Sequence, residues 1–315
     1  MPKNMLKASV LILLASLLIL AGALLFTDWR FPRQSNGQLV FANTYIDGTE
    51  LDKIVVTSPE GTVTLQHENG YWVVKEADYY YADIDLLNRL LTDFNNATYY
   101  SEQPFSEAAA AAARVNRDGT LIQTYQNNRL LDSIIIGKSA ENRQYHFARP
   151  TGREEIWLID GQYALPPEFY SWIMQPVSEL PPELVESVET GGITAARNNF
   201  RQSFSGADGF PIAAQPLLQA AAYITAEQVS AAQNFDESLY PKRRTLRFTT
   251  FQGLVVEYRL YSDGRSYWLG IALSATPLPK QAVNAYIRDN HMFYDGWYFR
   301  IPSVQGKLLF SLPLK

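Results

Sequence analysis

The residue types that most often do enzyme chemistry are few and widely separated in this chain. His67, His146 and His291 are its three histidines, and neither His67 nor His146 has a second metal ligand at the i, i+4 spacing of a helical metal site. The chain has no cysteine, which excludes disulfides, thiol nucleophiles and thiolate metal ligands. It has no G-x-S-x-G elbow, P-loop or G-x-G-x-x-G turn, although a Ser-His-Asp set assembled by the fold stays open. We therefore predict no catalytic, cofactor-binding or metal-binding residue.

Two aspartates, Asp83 and Asp85, form the carboxylate pair with the most suggestive spacing. Some glycosyltransferases hold a metal-bound nucleotide with such a D-x-D pair, but nothing near these residues resembles a nucleotide-binding fold. Apolar residues recur at helical spacing in the same segment: Ile84, Leu87, Leu91 and Phe94. We therefore interpret Asp83 as the N-cap of a helix and Asp85 as a first-turn charge that opposes the helix dipole.

Aromatic residues are concentrated around the start of this helix, in the stretch GYWVVKEADYYYADIDLLNRLL at residues 70–91. Trp72 lies in a strand just after an Asn-Gly hairpin signal, so we interpret it as a core residue. Tyr79, Tyr80 and Tyr81 form an aromatic elbow between sheet and helix. Because tyrosine is enriched among residues that dominate interface energetics, we predict that the exposed members of this run contact a partner.

Strand and turn signals surround these residues. From Ile54 to Val74 the chain alternates apolar and polar residues in short runs separated by Pro-Glu-Gly and Asn-Gly turns. A short helix, SEAAAAAARV, is predicted to begin at the N-cap Ser106. A meander follows in GTLIQTYQNNRLLDSIIIG, RQYHFAR and EEIWLID, with turns expected at Asn127-Asn128, the Gly137 region and Thr151-Gly152. This order predicts an α+β fold rather than a parallel doubly wound sheet.

The second half of the chain repeats this pattern weakly. ELDKIVVTSPEGTVTLQHENG aligns with ELVESVETGGITAARNNFRQS, and YYADIDLLNRLLTDFNNATYY aligns with IAAQPLLQAAAYITAEQVSAA. The first meander aligns with LRFTTFQGLVVEYRLYSDGRSYWLGIA, whose Asp263-Gly264 is a hairpin signal. Between the halves, LPPEFYSWIMQPVSELPPELVESVE predicts a short helix bracketed by two Pro-Pro pairs. We predict two similar modules of hairpin, helix and meander, at residues 46–178 and 179–315.

An uncharged apolar segment runs from Ala8 to Phe26 and is preceded by Lys3 and Lys7. Its 19 residues span about 28 Å as a helix, close to the hydrocarbon thickness of a bilayer. The positive-inside rule then predicts a cytoplasmic N-terminus at residues 1–7, a transmembrane helix at 8–26, a linker at 27–45 and a periplasmic remainder. The alternative is a cleaved signal peptide ending near Ala21-Gly22-Ala23, which also exports the bulk of the chain.

Composition narrows the class of protein. Hydrophobic residues make up 47% and charged residues 19% of the 315 residues, which is enough for packed cores. The formal net charge of −5 argues against a nucleic-acid binder, which needs a basic surface to neutralise phosphates.

The order of these motifs resembles the bacterial domain-of-unknown-function family 4340. The resemblance lies in the IVV, GTVTL and GYWVV hairpin runs, the YYAD…LLNRLL helix entry, the IIIG, YHFAR and IWLID meander, and the closing GWYFRIPSVQGKLL. It covers roughly residues 37 to 302. It implies an envelope protein associated with an ABC-type transporter and a gliding-motility-type auxiliary subunit, and it implies no catalytic residues.

Three functions remain as hypotheses. The first is a non-catalytic accessory subunit of an ABC-type transporter or envelope complex, anchored in the bacterial inner membrane, with the permease and its auxiliary subunit as partners. The second is a periplasmic module that binds a ligand or the cell wall through exposed tyrosines and tryptophans. The third is an unrecognised envelope hydrolase.

Overall fold

The computed structural model describes residues 37–44, 51–141, 144–161, 163 and 165–314. The predicted cytoplasmic N-terminus, the transmembrane helix at 8–26 and most of the predicted linker lie outside the described residues. Among the residues that are described, no helix has both the length and the apolar character needed to cross a bilayer. The membrane anchor therefore stays a prediction from the sequence.

The described residues contain 18 strands and five α-helices. The strands are β1 (Lys53–Ser58), β2 (Gly61–Glu68), β3 (Tyr71–Val74), β4 (Tyr80–Tyr81), β5 (Tyr99–Gln103), β6 (Thr120–Gln126), β7 (Arg129–Ser139), β8 (Tyr145–Pro150), β9 (Ile156–Asp160), β10 (Ser178–Glu179), β11 (Val185–Thr190), β12 (Ile193–Ala196), β13 (Tyr223–Ile224), β14 (Gln228–Ala231), β15 (Lys242–Thr250), β16 (Leu254–Ser262), β17 (Tyr267–Ala275) and β18 (Trp297–Ile301). The helices are α1 (Ile84–Asn96), α2 (Glu107–Ala113), α3 (Gln215–Ala221), α4 (Gln281–Asn290) and α5 (Ser303–Ser311). The sheets are mostly antiparallel and the helices are separate from them along the chain. This confirms that the fold combines helices and sheets, as the predicted α+β class requires.

The chain divides into two compact units, each built from several segments. The described residues of unit 1 lie within 37–44, Asp93–Ile122 and 132–163. Those of unit 2 lie within 51–92, Gln123–Leu131 and 165–314. The predicted modules at residues 46–178 and 179–315 stay a prediction of the sequence.

The hairpins at the start of unit 2 follow the sequence signals. In β1, Ile54 and Val56 are both buried because residues two apart in a strand point to the same face of the sheet. The β2–β3 connection is the predicted Asn-Gly pair, and Asn69 and Gly70 have φ values of 51° and 87°. Positive φ at both central residues is the type I′ geometry that matches strand twist, so the predicted hairpin is confirmed.

The larger sheet of unit 2 has seven strands in the order β12-β11-β15-β16-β17-β18-β14. The predicted hairpin signal Asp263-Gly264 connects β16 to β17. Alternate residues on the central strands fill the core beneath the sheet: Leu246, Phe248, Tyr258, Leu260 and Leu269. Helix α3 packs against α5, and both α4 and α5 contact β17.

The predicted turn at Gly137 in unit 1 is wrong. This glycine lies inside β7, where the strand passes the end of α2. A Cβ atom at Gly137 would lie 2.2 Å from the carbonyl oxygen of Ala113 and 2.8 Å from Cγ1 of Val115. The glycine therefore permits a close approach of helix and strand. The predicted cap of α2 is confirmed, since the Ser106 hydroxyl accepts a hydrogen bond from the Ala109 amide.

The prediction of a short helix between the Pro166-Pro167 and Pro181-Pro182 pairs is wrong. The described residues there form isolated 3₁₀ turns at Phe169–Ser171 and Pro182–Leu184 and the short strand β10. Proline removes backbone donors and disfavours helical geometry at the residue before it, which prevents a continuous helix. Trp172 lies in this segment with 1% of its surface exposed, and its indole N–H donates to the Pro166 carbonyl at 2.8 Å.

The described part of the predicted linker, residues 37–44, is packed in unit 1. Phe41 is buried, and its ring stacks on Phe94 with a centroid separation of 4.1 Å. The Asp132 carboxylate accepts hydrogen bonds from the backbone amides of Asn43 and Thr44. These contacts fix the residues that follow the predicted anchor to the folded part of the chain.

Candidate functional site

The feature of unit 2 best suited to binding is a cavity of about 460 Å³ at the start of α1, which we call the aromatic groove. This volume lies within the range of small-molecule sites. Its lining comes from the β2–β3 turn and β3, from β4 and the start of α1, and from two later segments of the chain. The lining residues are Gly70, Tyr71, Trp72, Tyr81, Ala82, Asp83, Ile84, Asp85, Met174, Gln175 and Phe293.

Backbone hydrogen bonds hold the segments of the groove together. The Ala82 amide donates to the Trp72 carbonyl, which continues the pairing of β3 with β4. The Asp83 amide donates to the Trp172 carbonyl at 2.7 Å, and the Met174 amide donates to the Tyr81 carbonyl at 2.9 Å. The groove is therefore built on paired backbone, which favours a site that is formed before any ligand arrives.

Edge-to-face aromatic contacts define the wall of the groove. The Tyr81 ring lies 5.4 Å from Tyr71 and 4.7 Å from Phe293, at interplanar angles of 84° and 80°. Such T-shaped pairs add favourable energy beyond the area that they bury. Tyr71 keeps 42% of its surface exposed, so part of this wall faces solvent.

Trp72 was predicted to be a core residue, and this prediction is wrong. Its side chain is only half-buried, and its ring lies 5.6 Å from the ring of His67, the residue that pairs with it on β2. The interior positions of this hairpin are taken by Val73, Val74 and Tyr80, so Trp72 is left at the groove. Of the two tryptophans, the core residue is Trp172, which the sequence pattern did not single out.

The three tyrosines predicted to contact a partner have different surroundings. Tyr79 is 42% exposed, Tyr81 is half-buried in the groove, and Tyr80 has no exposed surface. The Tyr80 hydroxyl donates to the Phe293 carbonyl at 3.1 Å, and burial raises the pKa of its phenol well above the usual range. Tyr79 is therefore the exposed member of the run, Tyr81 is half-buried, and Tyr80 belongs to the core.

A polar residue before the tyrosines, Asp78, was missed by the sequence reasoning. Its φ is 53°, a left-handed conformation that Asp tolerates better than most residues. Its carboxylate accepts hydrogen bonds from the Ala231 amide at 3.0 Å and the Asn234 side chain at 3.1 Å. It therefore ties the aromatic elbow to β14. No local signal identifies it, since its partners are more than 150 residues away along the chain.

The charges that line the groove are negative. Asp83 and Asp85 contribute carboxylates, and no Lys, Arg or His is found among the described residues of the lining. Burial and the neighbouring Tyr71 raise the pKa of Tyr81, so its phenol is neutral at physiological pH. Asp83 and Asp85 lie at the N-terminus of α1, where their charges oppose the positive end of the helix dipole.

The predicted role of Asp83 as an N-cap is confirmed. Its Oδ1 accepts hydrogen bonds from the amides of Asp85 and Leu86, both at 2.9 Å. These bonds satisfy two of the amides that lack partners at a helix N-terminus. Within the described residues, no group of three or more His, Asp or Glu side chains is arranged to hold a metal ion.

The cap allows a stability prediction. Asp83→Ala should lower the free energy of unfolding by about 0.5–2 kcal/mol, since two amide donors of α1 lose their acceptor. Asp83→Asn should cost much less, because its side-chain oxygen can accept the same hydrogen bonds. Urea denaturation of both variants measures the difference. Equal losses in the two variants would contradict the capping role.

Within the part of the chain that the structure describes, the three histidines belong to no group that could hold a metal ion. His146 is the most enclosed, and its ring nitrogens contact the Gly137 carbonyl at 3.4 Å and the Ser139 hydroxyl at 3.3 Å. Burial lowers the pKa of His146. A hydrolase triad would need a carboxylate where the Gly137 carbonyl lies, so this Ser-His pair lacks the orienting acid of that mechanism.

A second cavity in unit 2, of about 550 Å³, is lined by residues between Thr194 and Ala207. Its charged lining group is Arg197, which is 8% exposed. The guanidinium donates to the carbonyls of Val185, Phe200 and Pro182. Because these bonds occupy all three of its nitrogens, Arg197 holds loops together, and the cavity is polar rather than aromatic.

The fold and groove define a mixed α+β protein with an aromatic site at a sheet edge. The family model for the domain of unknown function DUF4340 matches residues 72–235, a stretch that contains the tyrosine run and α1. The chain belongs to this family. No curated protein and no solved structure matches it significantly.

Proposed function

We propose that the protein is a non-catalytic, membrane-anchored accessory subunit of an ABC-type transporter or envelope complex. The observation that supports this function best is a set of tyrosines near the groove: Tyr71 and Tyr79 are exposed, and the half-buried Tyr81 is in ring contact with Tyr71. Tyrosines of this kind provide large, rigid contact area and are enriched among interface hot spots. We call these three residues the tyrosine surface.

The proposed anchor at residues 8–26 gives this surface its physical advantage. A single helix in the inner membrane holds the periplasmic part within a shell near the bilayer. The effective concentration toward a membrane-bound partner then rises without any additional contact. The proposed partners are the ABC-type permease and its auxiliary membrane subunit, together with the lipid bilayer around the anchor.

The experiment that tests this function is co-purification of the full-length chain after gentle detergent extraction. We expect an ABC-type permease or its auxiliary subunit to be recovered with it. A chain that elutes alone under these conditions would contradict the accessory role.

A second candidate function is binding of a ligand or of cell-wall material in the periplasm. The volume and aromatic lining of the groove favour it, since ligand sites combine apolar walls with a few placed polar groups. The two candidates differ in which part of the site is used: the tyrosine surface for a partner, or the interior of the groove for a small molecule.

We also propose that the folded part contains two similar modules. In unit 1, the strand after the helix, β5, pairs with the last strand of the β7-β8-β9 meander. In unit 2, β14, which is the second strand after α3, pairs with β18, and β18 follows β16 and β17. This shared non-local pairing supports duplication. Failure of the two four-stranded sets to superpose in an experimental structure would contradict it.

A further inference from the structure

The second cavity of unit 2 lies where the edge strand β12 meets the loop that follows it, and we call it the hydroxyl cavity. Its volume of about 550 Å³ is within the range of small-molecule sites. Most of the lining side chains carry a hydroxyl or an amide: Thr194, Asn198, Gln202, Ser203 and Ser205.

Backbone pairing and a buried ring fix the walls of the hydroxyl cavity. The Ala196 amide donates to the Ser205 carbonyl and the Ser205 amide donates to the Ala196 carbonyl, both at 2.9 Å. The guanidinium carbon of Arg197 lies 4.5 Å from the centroid of the Phe204 ring, which is 4% exposed. Because the walls are held in this way, a ligand does not have to order them on binding.

The polar side chains of the hydroxyl cavity are available to a ligand. Four of them have no hydrogen-bond partner among the described residues: Thr194, Asn198, Ser203 and Ser205. A hydroxyl and a side-chain amide each donate and accept, so together they match a ligand that also does both. Ala196 and Ala207 add methyl groups, which give small apolar contacts between the polar groups.

The charges of the hydroxyl cavity favour a neutral ligand. Arg197 is the charged residue of the described lining, and its three nitrogens already donate to the carbonyls of Val185, Phe200 and Pro182. An anion that entered the cavity would lose hydration without gaining a free cationic partner. The described lining contains no carboxylate to attract a cation.

We infer that the hydroxyl cavity binds a neutral saccharide of about one or two sugar rings. The hydroxyls of the sugar pair with the unpartnered side chains, and its C–H groups contact the methyl groups of Ala196 and Ala207. This inference rests on the second candidate function, binding of a ligand or of cell-wall material. It adds the chemical class of the ligand and places that ligand outside the aromatic groove.

The test is a titration of the full-length protein in a polyoxyethylene detergent, which has no sugar headgroup to compete. The probes are the neutral disaccharide N,N′-diacetylchitobiose and the acidic disaccharide digalacturonic acid. We expect the neutral probe to bind at least roughly tenfold more tightly, because the carboxylates of the acidic probe are desolvated without a partner. Equal or tighter binding of the acidic probe would overturn the neutral class.

Variants of the lining locate the site. Asn198→Ala and Ser205→Ala should each weaken binding of the neutral disaccharide roughly fivefold, the effect of one lost hydrogen bond. Ala207→Leu fills the cavity from its exposed rim and should abolish binding. The matched control is Ser274→Ala, which removes an exposed serine hydroxyl from β17 and should leave binding unchanged. Thermal denaturation verifies that each variant is folded.

The failures of the inference and of the function beneath it are distinguishable. Unchanged affinity in all three cavity variants would overturn the assignment of the hydroxyl cavity and leave the ligand-binding function standing. Binding of isolated cell-wall material without binding of the disaccharide would overturn the saccharide class and leave that function standing. Binding of neither would overturn both.

Discussion

Trp172→Ala is expected to lower the free energy of unfolding by roughly 3–5 kcal/mol, the usual cost of truncating a fully buried large aromatic residue. Trp172 is 1% exposed, and its indole N–H donates to the Pro166 carbonyl at 2.8 Å. Truncation therefore leaves both a large cavity and a carbonyl without its donor. Chemical denaturation followed by far-UV circular dichroism measures the loss.

Trp72→Ala is the control for this prediction, because it removes the same side chain from a half-buried position. We expect it to cost about 0.5–2 kcal/mol, since the groove is already open to solvent and little new cavity is created. If Trp72→Ala destabilised the protein as much as Trp172→Ala, Trp72 would be a core residue and the groove would be wrongly described.

Tyr80→Ser is expected to have the second large effect, a loss of roughly 3–5 kcal/mol. The Tyr80 ring has no exposed surface and makes edge-to-face contacts with Trp297 at 5.0 Å and Phe299 at 5.3 Å. Serine removes the ring and its packing against both partners. Thermal or urea denaturation checks this value.

Two further variants separate the contribution of the Tyr80 ring to stability from that of its hydroxyl group and from that of the neighbouring Tyr79. Tyr80→Phe keeps the ring and should cost only about 1–2 kcal/mol, through the lost hydrogen bond to the Phe293 carbonyl. Tyr79→Ser, one residue earlier on an exposed side chain, should change stability by about 0.5 kcal/mol or less. A small effect of Tyr80→Ser would show that the elbow is not anchored in the core.

The sequence correctly predicted turns and helix caps, which depend on interactions between residues close together in the chain. The Asn-Gly hairpin before β3, the Ser106 and Asp83 caps and the Asp263-Gly264 turn each depend on residues within three or four positions of one another. The helical spacing predicted α1 correctly, although Ile84 is 53% exposed because it lies at the first turn, beside the groove.

The sequence could not predict which aromatic residues are buried. Asp78 and Tyr79 both have positive φ, at 53° and 66°, so the alternation that assigns faces in a regular strand does not apply before β4. Burial of Tyr80 depends on residues far along the chain, such as Phe293 and Phe299, and the backbone of Trp172 likewise pairs with the distant Asp83. Gly137 was assigned to a turn because its close contact with Ala113 is likewise non-local.

The candidate site was predicted only in part. The sequence predicts partner contact for the tyrosine run, of which Tyr79 is exposed and Tyr81 half-buried, and the contact itself stays a prediction. The groove itself also needs Phe293 and the segment around Met174, and neither carries a local signal that connects it to residues 70–85. Only the folded chain brings them together.

The measurement that tests the accessory role most directly is co-purification of a membrane partner with a variant of the tyrosine surface. Tyr71→Ser combined with Tyr79→Ser changes two side chains that are each 42% exposed. Tyr100→Ser, at 45% exposure on β5 of unit 1, is the matched control. All three changes leave Tyr80 and the core intact, so folding can be verified independently by thermal denaturation.

We predict that the double variant keeps its melting temperature and recovers at most about one tenth of the partner, which corresponds to a loss of roughly 1.4 kcal/mol in binding. The Tyr100→Ser control should recover the partner in full. Undiminished recovery of an ABC-type membrane complex with the folded double variant would contradict the assignment of the tyrosine surface, and absence of any such complex with the unaltered protein would contradict the accessory role itself.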